Sequence, residues 1–83
     1  MSKIEIRKLL IQLLKNSFVR INVDNNLMNQ IDSIGIVSLI VLLEEKFSIE
    51  IFPPEMNDRN FSSLETVTDW IYLKLEKNAD RKS

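Results

Sequence analysis

The amino-acid sequence predicts an all-α protein, a four-helix bundle with three main helices, one short helix and a long first loop. Apolar residues recur at steps of three and four, which is typical of helices, rather than in alternation. One Gly and two adjacent Pro are few turn formers for a protein of many strands. The 83 residues fit a single domain over 1–83, ordered over about 3–77, with a polar tail over 78–83 that we expect to be disordered.

The first predicted helix covers roughly residues 2–17, and Ser2 and Glu5 have the spacing of a capping box at its start. The loop over 19–32 is rich in Asn and Asp, so it has no sustained helical period. We expect Leu27 and Ile31 to anchor this loop, since a loop without anchors would lose too much entropy on ordering. The apolar stripe of the helix consists of Ile6, Leu9, Leu10, Leu13, Leu14 and Phe18.

The second helix is predicted to begin at Asp32 or Ser33 and to end near Phe47, and it has two apolar stripes. A protein of this size cannot easily bury a helix on all sides, so we expect one stripe to contact a partner, with core packing as the alternative. The stripe assigned to the core is Ile36, Leu39, Ile40, Leu43 and Phe47. The stripe assigned to a partner is Ile34, Val37 and Val41.

The rest of the chain is predicted to hold a short extended link, a short helix and a long last helix. The link at 48–52 alternates, with Ile49 and Ile51 inward, and the two Pro start a short helix over about 55–60. The last helix runs from near Ser63 to Lys77. Its expected capping box is Ser62 with Glu65, and its buried stripe is Leu64, Val67, Ile71 and Leu75.

Composition argues against several classes of function. The sequence has no Cys and no His, so it offers no thiolate, no imidazole base and no ligand set typical of zinc. A net charge of −1, with scattered Lys and Arg, favours neither nucleic acid nor an anionic membrane as partner. No apolar run is long enough to span a bilayer. We therefore predict a cytoplasmic, monomeric protein with no catalytic residue and no metal site.

Asp32 and Ser33 stand where the long loop meets the second helix. Backbone N–H groups at a helix start lack intrahelical partners and the helix dipole is positive there, so a phosphate on Ser33 would be stabilised. The alternative is that one of the two residues only caps the helix, a contribution of about 1 kcal/mol.

The order of short motifs resembles the acyl and peptidyl carrier protein family over about residues 4–76. An Asp-Ser-Ile motif at 32–34 opens the second helix, and that helix ends in LEEKF at 43–47. An alternating IEI follows at 49–51, then a Pro-led short helix, and Phe61 precedes a last helix that begins with Ser. The resemblance implies a bundle of acyl-carrier type.

The resemblance also implies the chemistry. Ser33 is expected to receive 4′-phosphopantetheine from coenzyme A through a separate phosphopantetheinyl transferase, which Asp32 helps to engage together with its metal ion. The thiol of the arm, not a protein residue, then holds acyl or aminoacyl groups as thioesters. Further expected partners are a loading enzyme, either an adenylating enzyme or an acyltransferase, and downstream synthase, condensing or tailoring enzymes. The expected contact residues are Ile34, Val37, Val41, Glu44, Glu45 and Met56.

The pathway is left open among several carriers. Carriers of primary fatty acid synthesis are usually strongly acidic along the second helix. In this sequence the second helix has Gly35 and Ser38 among apolar residues. A specialised polyketide or nonribosomal peptide pathway is therefore favoured. The Ser33-Ile34-Gly35 step is also similar to D-alanyl carriers of cell-wall modification. A helical adaptor between proteins is the alternative from another class. A hydrolase or transferase would need a base near Ser33; without His only a Lys or a carboxylate could serve, and no spacing in the sequence supports one.

Overall fold

The computed structural model describes residues 1–77 in full and residues 78–82 by their backbone alone. Within that part the chain forms helices and no strand, so the predicted all-α bundle with three long helices and one short helix is confirmed. The last helix continues to Lys82, five residues past its predicted end at Lys77, so of the predicted tail over 78–83 only Ser83 lies outside the described residues. The elements are α1 (Lys3–Ser17), α2 (Ser33–Phe47), α3 (Asp58–Phe61) and α4 (Leu64–Lys82), with 3₁₀ turns at Met28–Gln30 and Pro53–Glu55.

The start of α1 has the predicted capping box. The Ser2 hydroxyl accepts a hydrogen bond from the Glu5 N–H at 3.2 Å, and the Ser2 N–H donates to Glu5 Oε1 at 3.3 Å. Two N–H groups at this helix end are thereby satisfied.

The start of α4 lies one residue later than the predicted capping box, so the pairing of Ser62 with Glu65 was wrong. Ser63 and Thr66 form the reciprocal pair: the Thr66 N–H donates to Ser63 Oγ at 3.2 Å, and the Ser63 N–H donates to Thr66 Oγ1 at 3.1 Å. Ser62 has helical dihedral angles (φ −70°, ψ −26°) because it closes the last turn of α3. A residue in that conformation cannot supply the extended backbone of an N-cap.

The hydrophobic core is built from the predicted stripes. α1 packs against α4, and α3 also packs against α4, with Phe61 of α3 fully buried. The core side of α2 adds Leu39, Leu43 and Phe47, which are all buried. The other buried apolar residues are Ile6, Leu10, Leu13, Leu14, Leu27, Ile31, Ile49, Ile51, Leu64, Val67 and Ile71.

The link after α2 buries Ile49 and Ile51 as predicted. Ser48, at the C-terminus of α2, turns the chain with a left-handed backbone (φ 54°, ψ 45°). The Ile51 N–H then donates to Glu44 Oε2 at 2.9 Å, so a carboxylate of α2 holds the link against its own helix.

The short helix begins later than the predicted range of about 55–60. The two prolines start a single 3₁₀ turn, closed by the Met56 N–H on the Pro53 carbonyl at 3.0 Å. Asn57 then has an extended backbone, and its side chain accepts from the Asn60 N–H at 3.0 Å, which starts α3 at Asp58. The Asn57 cap, rather than the prolines, therefore decides where α3 begins.

Glu55 joins the 3₁₀ turn to α4 through a compact polar cluster. Its Oε1 accepts from Lys74 Nζ at 2.8 Å and from Trp70 Nε1 at 3.4 Å, and its Oε2 accepts from the Phe52 N–H at 2.9 Å. Lys74 Nζ also lies 5.7 Å from the centre of the Trp70 ring, which packs edge-to-face with the Phe61 ring at 5.2 Å between centroids. Burial alone would raise the pKa of Glu55, but the hydrogen bonds from Lys74, Phe52 and Trp70 lower it below its ordinary value.

The Glu55 cluster predicts a stability that depends on pH. Because the pKa is lower in the folded chain than in the unfolded chain, the stabilisation is present above the unfolded pKa and is lost as pH falls through the folded pKa. We expect Glu55→Gln to lower the free energy of unfolding by about 1–2 kcal/mol at pH 7, and by much less in acid. Urea unfolding of both proteins across pH 3–7 measures this difference. Glu50→Gln, at an exposed carboxyl, is the matched control; a Glu55→Gln deficit that stays constant with pH would contradict the prediction.

Candidate functional site

The junction between the first loop and α2 has a well-defined capping geometry. Asp32 has an extended backbone (φ −81°, ψ 178°), and its Oδ1 accepts a hydrogen bond from the Gly35 N–H at 2.7 Å. The Asp32 carbonyl accepts the first helical hydrogen bond, from the Ile36 N–H at 2.9 Å. Asp32 is therefore the N-cap, and Ser33 is the first residue of α2.

Ser33 is exposed at this helix start, and its hydroxyl has no hydrogen-bond partner among residues 1–77. Since Asp32 performs the capping, the Ser33 hydroxyl is not needed for it. The Ser33 and Ile34 N–H groups lie in the first turn, where N–H groups have no carbonyl of the same helix to bind. The helix dipole adds positive potential at this end, so the position suits a negatively charged group on Ser33 Oγ.

Gly35 lies against the end of the first loop, a contact that the sequence analysis did not identify. A Cβ placed on Gly35 would lie 2.7 Å from Ile31 Cγ2 and 3.2 Å from both Asp32 Oδ1 and Phe18 Cε1. Ile31 is buried and β-branched, so it cannot easily move away. The signal in the sequence was an isolated Gly within a helical pattern, which often marks a close approach of another segment.

The loop before Ser33 is anchored as predicted. Leu27 and Ile31 are both buried in the core. The Leu27 N–H also donates to the Phe61 carbonyl at 3.1 Å, so the loop is tied to the end of α3. The approach to Ser33 is therefore held by apolar burial and by one long-range backbone hydrogen bond.

The second stripe of α2 is on the surface. Ile34, Val37 and Val41 are 79%, 63% and 48% exposed, so the alternative of core packing is excluded for all three. These side chains form an apolar strip that starts beside Ser33 and follows α2 for about two turns.

The other predicted contact residues differ in their surroundings. Glu45 is exposed, but Glu44 is half-buried and one of its oxygens binds the Ile51 N–H. Met56 is half-buried and packs against the core. Glu44 and Met56 thus have structural contacts within the chain, and contact with a partner stays a prediction for all three residues.

Neither a metal centre nor a membrane span is found in the part of the chain that the structure describes. No group of three or more acidic, His or Cys side chains there is arranged to hold a metal ion. None of its helices combines the length and the apolar character that crossing a bilayer requires. A surface groove of about 350 Å³ lies between α1 and α2, lined by Gln12, Leu13, Asn16, Ser17, Leu42, Glu45 and Lys46, and Ser33 is outside it.

Comparison with known proteins gives one match. The family model described as "Phosphopantetheine attachment site" matches residues 5–71, which is most of the chain. Searches among curated proteins and among solved structures gave no match.

The close approach at Gly35 predicts that Gly35→Ala destabilises the protein although Ala is the better helix former. The new methyl group must displace Ile31, and we expect a net loss of about 1–2 kcal/mol in the free energy of unfolding. Chemical denaturation measures the loss. Ser38→Ala, at an exposed position of the same helix, is the control and should gain a few tenths of a kcal/mol. Equal gains in both variants would show that the contact with Ile31 is not tight.

Proposed function

The chain belongs to the phosphopantetheine attachment site family. From this membership we propose that 4′-phosphopantetheine is attached to Ser33. Members of the family carry 4′-phosphopantetheine covalently and act as carriers. The thiol of the bound group supplies a thioester linkage for acyl or aminoacyl groups. The observation that most supports Ser33 is its free, exposed hydroxyl at the start of α2, next to a residue that already caps the helix.

The residues around Ser33 fit a phosphate linked to its hydroxyl. The side chain points to no partner among the described residues, so a bulky substituent breaks no hydrogen bond. The first-turn N–H groups of Ser33 and Ile34 and the helix dipole favour the negative charge of a phosphodiester. This environment stabilises the modified form, whereas a buried serine would not admit it.

The attachment step needs a separate transferase. The Ser33 oxygen forms a bond to the phosphorus that carries the pantetheine, the diphosphate bond of coenzyme A breaks, and 3′,5′-ADP leaves. The serine proton passes to a base of the transferase, because the chain has no His or Cys that could accept it. Asp32 uses Oδ1 for the cap, and we propose that its other oxygen contacts the transferase and its metal ion.

The exposed strip of Ile34, Val37 and Val41 is the proposed contact for the transferase, the loading enzyme and the downstream synthase, condensing or tailoring enzymes. It starts beside Ser33, so an enzyme that reaches the attached group also lies close to the strip. A net charge of −1 gives weak electrostatic steering, so apolar contact dominates this recognition. Glu44, Glu45 and Met56 extend the proposed surface.

We propose a specialised pathway, of the polyketide or nonribosomal peptide kind, as the setting of this carrier. The moderate charge and the apolar strip favour it over a primary fatty-acid carrier, and the stretch after Pro54 favours it over a D-alanyl carrier. The chain is in this proposal a single, monomeric carrier domain of the cytoplasm, without catalytic activity of its own.

Modification of Ser33 is tested directly by intact mass. The apo protein is incubated with coenzyme A, Mg²⁺ and a phosphopantetheinyl transferase of broad specificity. We expect the wild type and Ser38→Ala to gain the mass of one phosphopantetheinyl group, and Ser33→Ala to gain none. Ser38 is the matched control because it is exposed on the same helix.

The outcome separates the proposed function from its alternative. Modification of Ser33→Ala would assign the group to another residue. A folded wild type that two different transferases leave unmodified, with prior modification excluded by mass, would favour the helical adaptor, for which the Ser33 hydroxyl is irrelevant.

The exposed strip predicts that Val37→Lys affects binding and not folding. Val37 is 63% exposed, so we expect the free energy of unfolding to change by less than about 0.5 kcal/mol. A charge in an apolar contact should raise the transferase KM for the carrier about tenfold, with kcat nearly unchanged. Leu73→Lys, an equivalent change at an exposed apolar residue of α4, should leave KM at the wild-type value. A normal KM for Val37→Lys would place the contact surface elsewhere.

A further inference from the structure

Gln30 closes the loop before Ser33 with its side-chain amide. Its Oε1 accepts from the Asn22 N–H at 2.7 Å, and its Nε2 donates to the Asn22 carbonyl at 2.8 Å and to the Asn26 carbonyl at 2.9 Å. Both backbone groups of Asn22 are therefore bound by one side chain, eight residues along the chain. We call these three hydrogen bonds the Gln30 clamp.

The clamp requires an amide side chain of this length. An amide presents an acceptor and two donors in one plane, which is what the N–H of Asn22 and the two carbonyls need. A Glu at this position would keep the bond from the Asn22 N–H but would set a carboxylate oxygen against two carbonyl oxygens. The side chain at position 30 would keep its shape, but two of its three hydrogen bonds would become repulsive contacts between oxygens.

The clamp fixes the segment that leads into the site. The other hydrogen bonds within this loop join residues close in sequence, such as the Asp24 N–H to Asn22 Oδ1 and the Asn29 N–H to Asn26 Oδ1. Gln30 is followed directly by Ile31, which is buried against Gly35, then by the cap at Asp32 and by Ser33. A loop open at 22–30 would have to be ordered again when an enzyme docks at Ser33, and that ordering costs entropy.

We propose that Gln30 is a positioning residue for the modification of Ser33: by closing the loop it keeps the residues around Ser33 in the arrangement that the transferase binds. This inference rests on the proposed function of Ser33. It assigns no contact between Gln30 and the transferase or its substrate.

The test combines amide hydrogen exchange with transferase kinetics on the full chain. We expect the backbone amides at positions 27 and 30 to exchange hydrogen at least about tenfold faster in Gln30→Glu and in Gln30→Ala than in the wild type. The amides of α1 and α4 should keep their protection in both variants. The transferase KM for the carrier should rise roughly tenfold with kcat within about twofold, because the loss is in binding a preordered surface. Gln12→Glu, the same change at an exposed residue of α1, should match the wild type in both measurements.

Each result decides between distinct explanations. Fast exchange in the loop with a wild-type KM would overturn the positioning role while leaving Ser33 as the modified residue. An equal loss of protection in α1 and α4 would make Gln30 a residue of general stability and would also overturn it. A raised KM in Gln12→Glu would assign the effect to added charge. A wild type that is not modified at all would instead refute the proposed function, and the exchange data would still report whether Gln30 orders the loop.

Discussion

The hydrogen bond from the Gly35 N–H to Asp32 Oδ1 fixes where α2 begins, and the arrangement of the site follows from that start. Successive helical residues are about 100° apart, so Leu39, Leu43 and Phe47 share one face of α2, and their burial sets the rotation of the helix against the core. Within that rotation the cap, worth about 1 kcal/mol, decides which residue comes first in the helix. Because Asp32 does the capping, Ser33 is left at the surface with its hydroxyl free.

α2 serves the core on one side and the surface on the other. A fully buried Ile or Val side chain stabilises a protein by about 1.5–3 kcal/mol, yet Ile34, Val37 and Val41 remain exposed. Among the described residues no element covers them, since the link is held on α2 by Glu44 and α3 packs on α4. Apolar side chains in a row beside Ser33 are consistent with a surface that gains its burial when an enzyme docks.

The main features could be predicted from sequence because they depend on local periodicity. The stripes of α1, α2 and α4 and the start of α2 follow from spacing and from one capping residue. The start of α4 was missed by one residue because adjacent serines, Ser62 and Ser63, offer the same chemistry, and only the end of α3 decides between them. The contact at Gly35 and the Gln30 clamp depend on the path of a loop without period, which sequence spacing does not encode.

Capping of α2, space for the loop and the free hydroxyl are supplied by three different residues of the site. This separation explains how a small chain supports the proposed chemistry. Asp32 supplies the cap, Gly35 supplies the room for Ile31, and Ser33 is left with no structural task among the described residues. A residue without a structural task can be modified without loss of stability, because no hydrogen bond or packing contact is broken. The sequence has neither Cys nor His, so a reactive thiol has to come from the attached group and a proton acceptor from a partner enzyme. The chain itself then needs to hold one hydroxyl in a fixed, accessible place, and the cap, the close approach at Gly35 and the anchored loop all act on that place.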